Sequence, residues 1–174
     1  MPPQRCSSVK PPRKRHDILV SVTNNRILQA PNGQSGGIGL CFVSSSGVNL
    51  RNCEVLDNAA ISCDRDIYGG GICFAGSSAY VEGFNLLVAR NSAVTGTKSG
   101  GYGGGICGWD GSSFNLRNCT ISDNVGTGLY HYNGTIKVSD SVIWGNMKEV
   151  GYSSGTRYWT NCCTSATLNG TVVA

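Results

Sequence analysis

The chain has 174 residues and a formal net charge of +4. Residues 1–16 hold five basic side chains and no acid, whereas residues 17–174 hold nine basic and ten acidic side chains. A single domain of this length with a neutral body does not favour nucleic-acid binding, and no apolar stretch is long enough for a transmembrane helix.

The basic segment, residues 1–16, is also rich in proline. It predicts a disordered basic tail in front of a folded domain at residues 17–174, with a nuclear-localisation or nucleic-acid-binding arm as the alternative. The apolar stretch at residues 18–22 is too short for the core of a secretion signal. We therefore expect that the natural start lies upstream or that an exported parent chain has been truncated.

A short pattern, hydrophobic-x-x-Asn, recurs along the domain. It ends at Asn25, Asn58, Asn91, Asn124 and Asn146, with successive spacings of 33, 33, 33 and 22 residues. Such a period is typical of a solenoid, in which one small unit stacks on copies of itself because it cannot bury its apolar side alone. The repeat therefore predicts the fold.

Each copy contains three predicted strands. In the strand before the Asn, alternate positions are apolar or small, as expected when one face of a strand is buried. These positions form one column of Cys53, Leu86, Cys119 and Ser141 and another of Val55, Val88, Ile121 and Ile143. A second strand begins at Val48, Val81, Phe114 and Ile136, and a third at Ile38, Ile72, Ile106 and Leu129. No window has helical periodicity, so the sequence predicts an all-β solenoid of about five to six coils.

The 22- and 33-residue spacings show how much of each copy forms the coil and how much forms a loop. About 22 residues suffice for a coil of three strands, so each longer copy carries about 11 more residues between its Asn and the next glycine pair. Coils stack at the strand-pairing distance of about 4.8 Å, and we therefore expect these loops to form a ledge on one flank. Neither end has an amphipathic capping helix, so the chain is predicted to be part of a longer solenoid.

The repeated asparagine has a structural explanation. A polar residue that occurs once per coil can bond to the next Asn in the stack and to the turn backbone, which gives an internal ladder that fixes the register. A ligand-binding role for the column is the alternative.

The nine cysteines do not form the pattern of a disulfide framework. Cys53 and Cys119 fall in one inward column two coils apart, about 9.6 Å, which is beyond bridging reach, so they are predicted to fill the core. Cys73 and Cys107 fall in adjacent coils, where a bridge and a pair of stacked free thiols both fit. The odd total leaves at least one thiol free or intermolecular.

Metal and phosphate sites are not predicted. The chain has no C-x-x-C motif, and its two histidines, His16 and His131, fall in the tail and in a turn. The glycine run at residues 100–105 is followed by a strand, whereas a phosphate-binding fingerprint requires a helix there.

The repeats resemble a known family. The sequence Tyr-Gly-Gly-Gly-Ile-Cys occurs at residues 68–73 and 102–107. With the hydrophobic-x-x-Asn steps it is similar to the repeats of polymorphic outer-membrane proteins, although Val or Ile stands here where that family has Phe. More broadly it resembles right-handed parallel β-helices of the pectate-lyase-like superfamily. The resemblance implies a right-handed parallel β-helix with long lateral loops, an extracellular or cell-surface location, and adhesion or carbohydrate binding, with a polysaccharide lyase as a minority outcome.

One column of charges is the best candidate for catalysis. Asp57, Arg90 and Asp123 fall at one outward position in three consecutive coils. The resemblance implies that a lyase would hold calcium with acidic residues and abstract a proton with a basic one on such a face. Arg90 would pair with both acids and lower their pKa values, which removes the protonated acid that hydrolysis needs. An exposed charge ladder without catalysis or cofactor is therefore favoured, and calcium is expected only in a lyase.

The predicted ledge is the candidate ligand site. Tyr68 and Tyr102 precede the glycine turns in successive copies, so their rings are predicted to stack on the flank where the long loops emerge. Exposed aromatic rings with polar neighbours suit the binding of extended sugars. A purely structural tyrosine stack is the alternative. The neighbours predicted on this flank are Trp109, Asp64, Asp66 and Lys98.

These observations predict a non-catalytic, surface or secreted β-helix module that binds a polysaccharide or cell-surface glycan. The alternatives are a pectate-lyase-like enzyme and a structural spacer in a larger adhesin, joined to further coils of its parent chain.

Overall fold

The computed structural model describes residues 20–27, 35–36, 38–44, 47–62, 67–95, 101–168 and 170–173, and the predicted tail at 1–16 lies outside them. This part of the chain contains no helix, and so none that is long and apolar enough to cross a membrane. The described residues form strands numbered β1 to β23 in chain order: Val20–Thr23, Arg26–Ile27, Ser35–Gly36, Leu40–Val43, Val48–Arg51, Cys53–Leu56, Ala59–Ser62, Ile67–Tyr68, Ile72–Ala75, Tyr80–Phe84, Leu87–Ala89, Ser92–Thr95, Gly101–Tyr102, Ile106–Trp109, Ser113–Arg117, Thr120–Ser122, Thr127–His131, Thr135–Ser139, Val142–Trp144, Lys148–Tyr152, Thr156–Thr160, Cys163–Thr164 and Thr171–Val173.

Three long sheets run along the stack of coils. The first sheet has the order β1-β6-β11-β16-β19-β22, the second sheet β4-β9-β14-β17-β20, and the third sheet β5-β10-β15-β18-β21-β23. The strand pairs within them are parallel. Because the chain visits the three sheets in turn and returns one coil further along, it forms the predicted parallel β-helix.

The register confirms most of the predicted columns. Val48, Val81, Phe114 and Ile136 are successive partners in the third sheet, and Ile72, Ile106 and Leu129 are partners in the second. The assignment of Ile38 to this last column is wrong, since the partner of Ile72 is Leu40. The glycine pair at 36–37 suggested the wrong register, because the glycine that precedes the strand is Gly39.

The inward columns fill the core as predicted. Val55, Val88, Ile121 and Ile143 are at most 1% exposed, and the column that contains Cys53 and Cys119 is also buried. The thiol and hydroxyl groups in this column form hydrogen bonds with nearby backbone carbonyls. Cys53 Sγ, Cys119 Sγ and Ser141 Oγ donate to the carbonyl two residues earlier, at 3.2, 3.3 and 2.6 Å. A thiol or hydroxyl is therefore tolerated in an otherwise apolar core.

The long copies differ from the short ones by a lateral arm between the first and second sheets. Each of the first three coils adds two short strands there, and the arms stack into two small parallel sheets, β2-β7-β12 and β3-β8-β13. After Asn124 the chain passes directly from β16 to β17. The predicted ledge is therefore present, and it is built partly of strands.

The asparagine column is the predicted internal ladder. Asn58, Asn91 and Asn124 are at most 1% exposed. Asn91 Oδ1 accepts hydrogen bonds from the backbone N and the Nδ2 of Asn58 at 3.1 and 2.9 Å. Asn91 Nδ2 donates to Val55 O at 2.8 Å and to Asn124 Oδ1 at 3.1 Å. Corresponding contacts recur from Asn25 to Asn146, and the amides of Asn58, Asn91 and Asn124 each join three consecutive coils.

The glycine that begins each strand of the second sheet leaves room for this ladder. A Cβ atom added to Gly71 would lie 2.7 Å from Gly105 O and 2.9 Å from Asn91 Nδ2, and one on Gly105 would lie 2.9 Å from Asn124 Nδ2. All three distances are shorter than van der Waals contact. Glycine is therefore required here by the close approach of the ladder amides and of the neighbouring backbone.

A carboxylate ends the ladder. Among the described residues, no asparagine of the next coil accepts from Asn146, and Glu149 Oε2 accepts from its Nδ2 at 2.7 Å instead. Glu149 Oε1 accepts from Gly145 N at 2.9 Å. The donors of Gly145 and Asn146 thus find an acceptor within their own coil.

Replacing a central rung should destabilise the fold strongly. In Asn91→Ala the backbone N–H and one side-chain N–H of Asn58 lose their buried acceptor, and Val55 O loses a donor. Each unsatisfied buried group costs about 1–3 kcal/mol. We expect the free energy of unfolding to fall by about 3 kcal/mol, measured by urea denaturation.

The matched control is Asn49→Ala, because Asn49 is exposed and its amide donates only to Gly47 O at 3.3 Å. Equal midpoints for the two variants would contradict the role assigned to the ladder.

Candidate ligand-binding surfaces

The predicted aromatic stack is present on the arm side of the second sheet. Tyr68 and Tyr102 are register partners in β8 and β13, and their ring centroids lie 5.5 Å apart with an interplanar angle of 8°. Trp109 contacts both rings, at centroid distances of 4.2 and 6.0 Å. The sequence therefore located this cluster correctly.

The predicted exposure of these rings is wrong for Tyr68, which is only 5% exposed. Tyr68 forms a buried cluster with Cys73 and Cys107, and Tyr102 and Trp109 pack against it. The arm thus covers the outer side of the second sheet, and the aromatic rings fill the space between the two layers. The predicted neighbours Asp64, Asp66 and Lys98 lie outside the described residues.

The partly exposed part of the cluster continues towards the later coils, where the arm is absent. Tyr132 is 37% exposed and lies 4.2 Å from Trp109 between ring centroids. Tyr130 lies 4.8 Å from Tyr102. These rings form the border between the buried cluster and solvent.

The charge column predicted from the sequence lies in a turn. Asp57, Arg90 and Asp123 adopt left-handed backbone conformations, with φ of 59°, 56° and 55°, directly before the ladder asparagines. Arg90 Nε and Nη2 each donate to an Asp57 oxygen at 2.8 Å. The predicted pairing of Arg90 with both acids is wrong, because in the described chain its guanidinium forms an ion pair with Asp57 alone. The Nε and Nη2 edge of the Arg90 guanidinium is therefore occupied by the Asp57 carboxylate.

This pairing controls the protonation of Asp57. The hydrogen bonds from Arg90 hold the pKa of Asp57 below its usual range, and Asp57 in turn raises the pKa of Arg90. Asp57 is therefore ionised at neutral pH and unsuited to act as a general acid. Within the described ranges, no three His, Cys, Asp or Glu side chains are grouped so that they could hold a metal ion.

The outer face of the third sheet carries a second set of polar and aromatic side chains. Two columns face outwards along the stack. One contains Asn49, Glu82, Asn115, Lys137 and Tyr158, and the other contains Arg51, Phe84, Arg117, Ser139 and Thr160. The same 33-residue period that revealed the ladder also relates residues 49, 82 and 115, so the sequence carries a signal for this outward column too.

Cations and rings alternate on this face. The guanidinium carbons of Arg51 and Arg117 lie 5.8 and 6.0 Å from the centroid of the Phe84 ring. Lys137 Nζ lies 5.7 Å from the ring of Tyr158, which is 40% exposed. Such cation–π contacts hold long side chains in place at a surface.

A groove of about 470 Å³ opens on this face. It is lined by Asn115, Lys137, Val138, Ser139, Tyr158 and Thr160. Its walls therefore combine an ammonium group, an amide, two hydroxyl side chains and a tyrosine.

In two other cavities, polar side chains of the lining are hydrogen-bonded to one another. A cavity of about 570 Å³ lies between residues 146–152 and 165–167, but its amide and carboxylate, Asn146 and Glu149, bond to each other at the end of the ladder. A smaller cavity of about 260 Å³ lies beside an outer row of Asn52, Asn85 and Asn118, whose side chains bond to one another at 2.8 and 3.4 Å. The first cavity holds one lysine, Lys148, and the second holds one acid, Glu54. Neither carries the several outward cations found on the third sheet.

The comparison with known families agrees with this architecture. A family model described as the right-handed beta helix region matches residues 14–172. The chain belongs to this family. No curated protein and no solved structure matches it. The parallel sheets of this right-handed β-helix and the family match together confirm the predicted fold.

His131 is an ionisable side chain inside the β-helix. His131, at the end of β17, is 1% exposed and meets the Phe114 ring edge-on at 5.6 Å. Burial lowers the pKa of His131 to about 4 from its ordinary value of 6.5. The unfolded chain therefore takes up a proton near pH 6.5 that the folded chain does not accept until about pH 4.

This difference predicts a loss of stability in mild acid. The contribution of neutral His131 is fully present above pH 6.5 and is lost as the pH falls towards 4, by up to about 3 kcal/mol at 1.36 kcal/mol per pKa unit. Urea denaturation at pH 7.5, 5.5 and 4.5 should show the loss in the parent and a smaller one in His131→Leu.

Asp57→Asn is the control, because the pKa of Asp57 is lowered from 3.8 and its effect falls below this window. An unchanged pH dependence in His131→Leu would show that His131 is not the group responsible.

Proposed function

We propose that this β-helix is a non-catalytic module that binds an acidic polysaccharide through the outer face of its third sheet, outside the cell or at its surface. The observation that carries the proposal is the groove in which the ammonium of Lys137 lies 5.7 Å from the partly exposed ring of Tyr158. On this face, side chains of successive coils, such as Asn115, Lys137 and Tyr158, follow one another at the spacing of paired strands.

The chemistry of the groove suits a sugar. The face of a tyrosine ring packs against the C–H surface of a pyranose, while amides, hydroxyls and charged groups bond to its hydroxyl and carboxylate groups. Tyr158 supplies the ring, and Asn115, Ser139 and Thr160 supply the neutral polar groups.

The charge of the face favours an anionic ligand. Arg51, Arg117 and Lys137 face outwards against one acid in the same columns, Glu82. Arg117 also lies 3.8 Å from Asp140 at the border of the sheet, through an exposed pair whose energy is small. The remaining cations support the binding of carboxylates spaced along an extended chain.

The lateral aromatic cluster is the competing location for the same activity. It offers the partly exposed Tyr102, Trp109 and Tyr132, but the inner rings are packed over buried thiols. A substitution there would change the fold as well as the surface, so the open face of the third sheet supports the proposal better.

A polysaccharide lyase is the alternative function for the same ligand class. Its best candidates remain Asp57, Arg90 and Asp123, and the ionised, arginine-bound state of Asp57 weighs against an acid role. An assay for cleavage of the polysaccharide distinguishes a lyase from a binding module.

Binding should depend on Lys137 and Tyr158. We expect the parent to bind polygalacturonate in affinity electrophoresis or calorimetry, and more weakly as salt rises because the charges are screened. The double variant Lys137→Ala/Tyr158→Ala should bind at least about tenfold more weakly, equivalent to about 1.4 kcal/mol.

The matched control is Trp144→Ala/Lys148→Ala, which also removes one exposed ring and one exposed lysine, from other faces. Equal binding by the parent and by Lys137→Ala/Tyr158→Ala would overturn the site. Release of unsaturated uronate from the polysaccharide in the presence of calcium would show a lyase instead of a binding module.

A further inference from the structure

Three thiols form a column on the outer side of the second sheet. Cys41, Cys73 and Cys107 are successive register partners on β4, β9 and β14. All three are free. Their exposure decreases along the column, because Cys41 is exposed, Cys73 is 3% exposed and Cys107 is fully buried. The corrected register of the first coil is what brings Cys41 into this column.

The first two thiols are placed for bond formation. Neighbouring strands of a sheet lie about 4.8 Å apart, which is within the Cα separation of about 4.4–6.8 Å that disulfides span. Side chains at in-register positions of parallel strands point the same way. The thiol of Cys73 lies close enough to that of Cys41 to change its ionisation.

The environment gives the two sulfurs different reactivity. The hydrogen bond from Cys73 lowers the pKa of Cys41 to about 7, so much of the exposed thiol is thiolate at neutral pH. The same hydrogen bond and then burial raise the pKa of Cys73, and burial raises that of Cys107. Tyr68, Tyr102 and Trp109 cover the two buried thiols from the arm side.

We propose that Cys41 and Cys73 form a reversible dithiol–disulfide site, in which Cys41 reacts with a small disulfide of the glutathione type and Cys73 resolves the product. The Cys41 thiolate attacks one sulfur of the small disulfide, its S–S bond breaks, and the departing thiolate takes up a proton. Cys73 then loses its proton and attacks the Cys41 sulfur, which releases the second small thiol. One small disulfide is reduced to two thiols while the two protein thiols are oxidised to one bond.

The bond would join the first coil to the second. β4 is the last strand of the second sheet on its side, so its outer edge has no partner in the described chain. A Cys41–Cys73 bond ties this strand to β9 and restricts its opening. The site lies away from the face proposed to bind glycans and is independent of that proposal.

Peptide mapping tests the proposal directly. Trypsin separates the relevant cysteines, because Cys41 lies in peptide 27–51, Cys73 in 66–90 and Cys107 in 99–117. After the full chain is treated with oxidised glutathione at pH 7, mass spectrometry without reduction should show 27–51 joined to 66–90. Amide exchange in β4 should slow, and reduction with dithiothreitol should reverse both changes.

Single variants separate the two roles. Cys73→Ser should retain a stable glutathione adduct on Cys41, and Cys41→Ser should leave Cys73 unmodified because that thiol is buried. Cys163→Ser, which removes an exposed thiol outside the column, should still form the cross-link. Iodoacetamide should modify Cys41 about tenfold faster than an ordinary peptide thiol at pH 7.

Three results would overturn the proposal. They are a lasting glutathione adduct on Cys41 in the parent chain, a cross-link between 66–90 and 99–117 in place of the expected one, and the absence of any modification at Cys41. The iodoacetamide rate on the parent chain needs no variant, so the proposal can fail even if Cys73→Ser does not fold.

Discussion

The buried asparagine amide is the constraint on which the rest of this structure depends. An amide in an apolar core must have partners for both its donors and its acceptor, because each unsatisfied group costs about 1–3 kcal/mol. Here the partners of Asn91 lie one coil below and one coil above it. A slip of one residue would break every rung at once, so the ladder fixes the register of the whole stack.

Two other features of the fold follow from the ladder. The strand that passes beside it must begin with glycine, since a Cβ on Gly71 or Gly105 would collide with the amides. The residue before each rung must turn the chain sharply, which explains the left-handed conformation of Asp57, Arg90 and Asp123. The charged column that resembles a catalytic site is therefore first a row of turns, and its ion pair neutralises side chains that the turn directs outwards.

The regular stack also determines which faces can serve function. The arms that carry Tyr68 and Tyr102 cover part of the second sheet, so the aromatic rings and the thiols of Cys73 and Cys107 form a small second core. In the described parts of the chain no arm lies over the third sheet, and its outward columns repeat at one coil spacing. An extended, repetitive ligand matches that surface, whereas the thiol column becomes accessible only at the first coil, where Cys41 is exposed.

The sequence by itself determined the coil, the ladder and the inward columns, because a solenoid repeats its contacts and each repeat leaves its trace at a fixed spacing. Asn58, Asn91 and Asn124 could be placed without coordinates for this reason. Predictions from the sequence were wrong where the repeat is imperfect and where the arm packs against the second sheet. Ile38 was misassigned because it follows a glycine pair, although it stands at the position that Gly70 occupies in the next coil. The burial of Tyr68 could not be seen because it depends on the arm folding back over another sheet. Only the tertiary structure decided which surfaces face solvent, since exposure is set by contacts between residues that no single period relates.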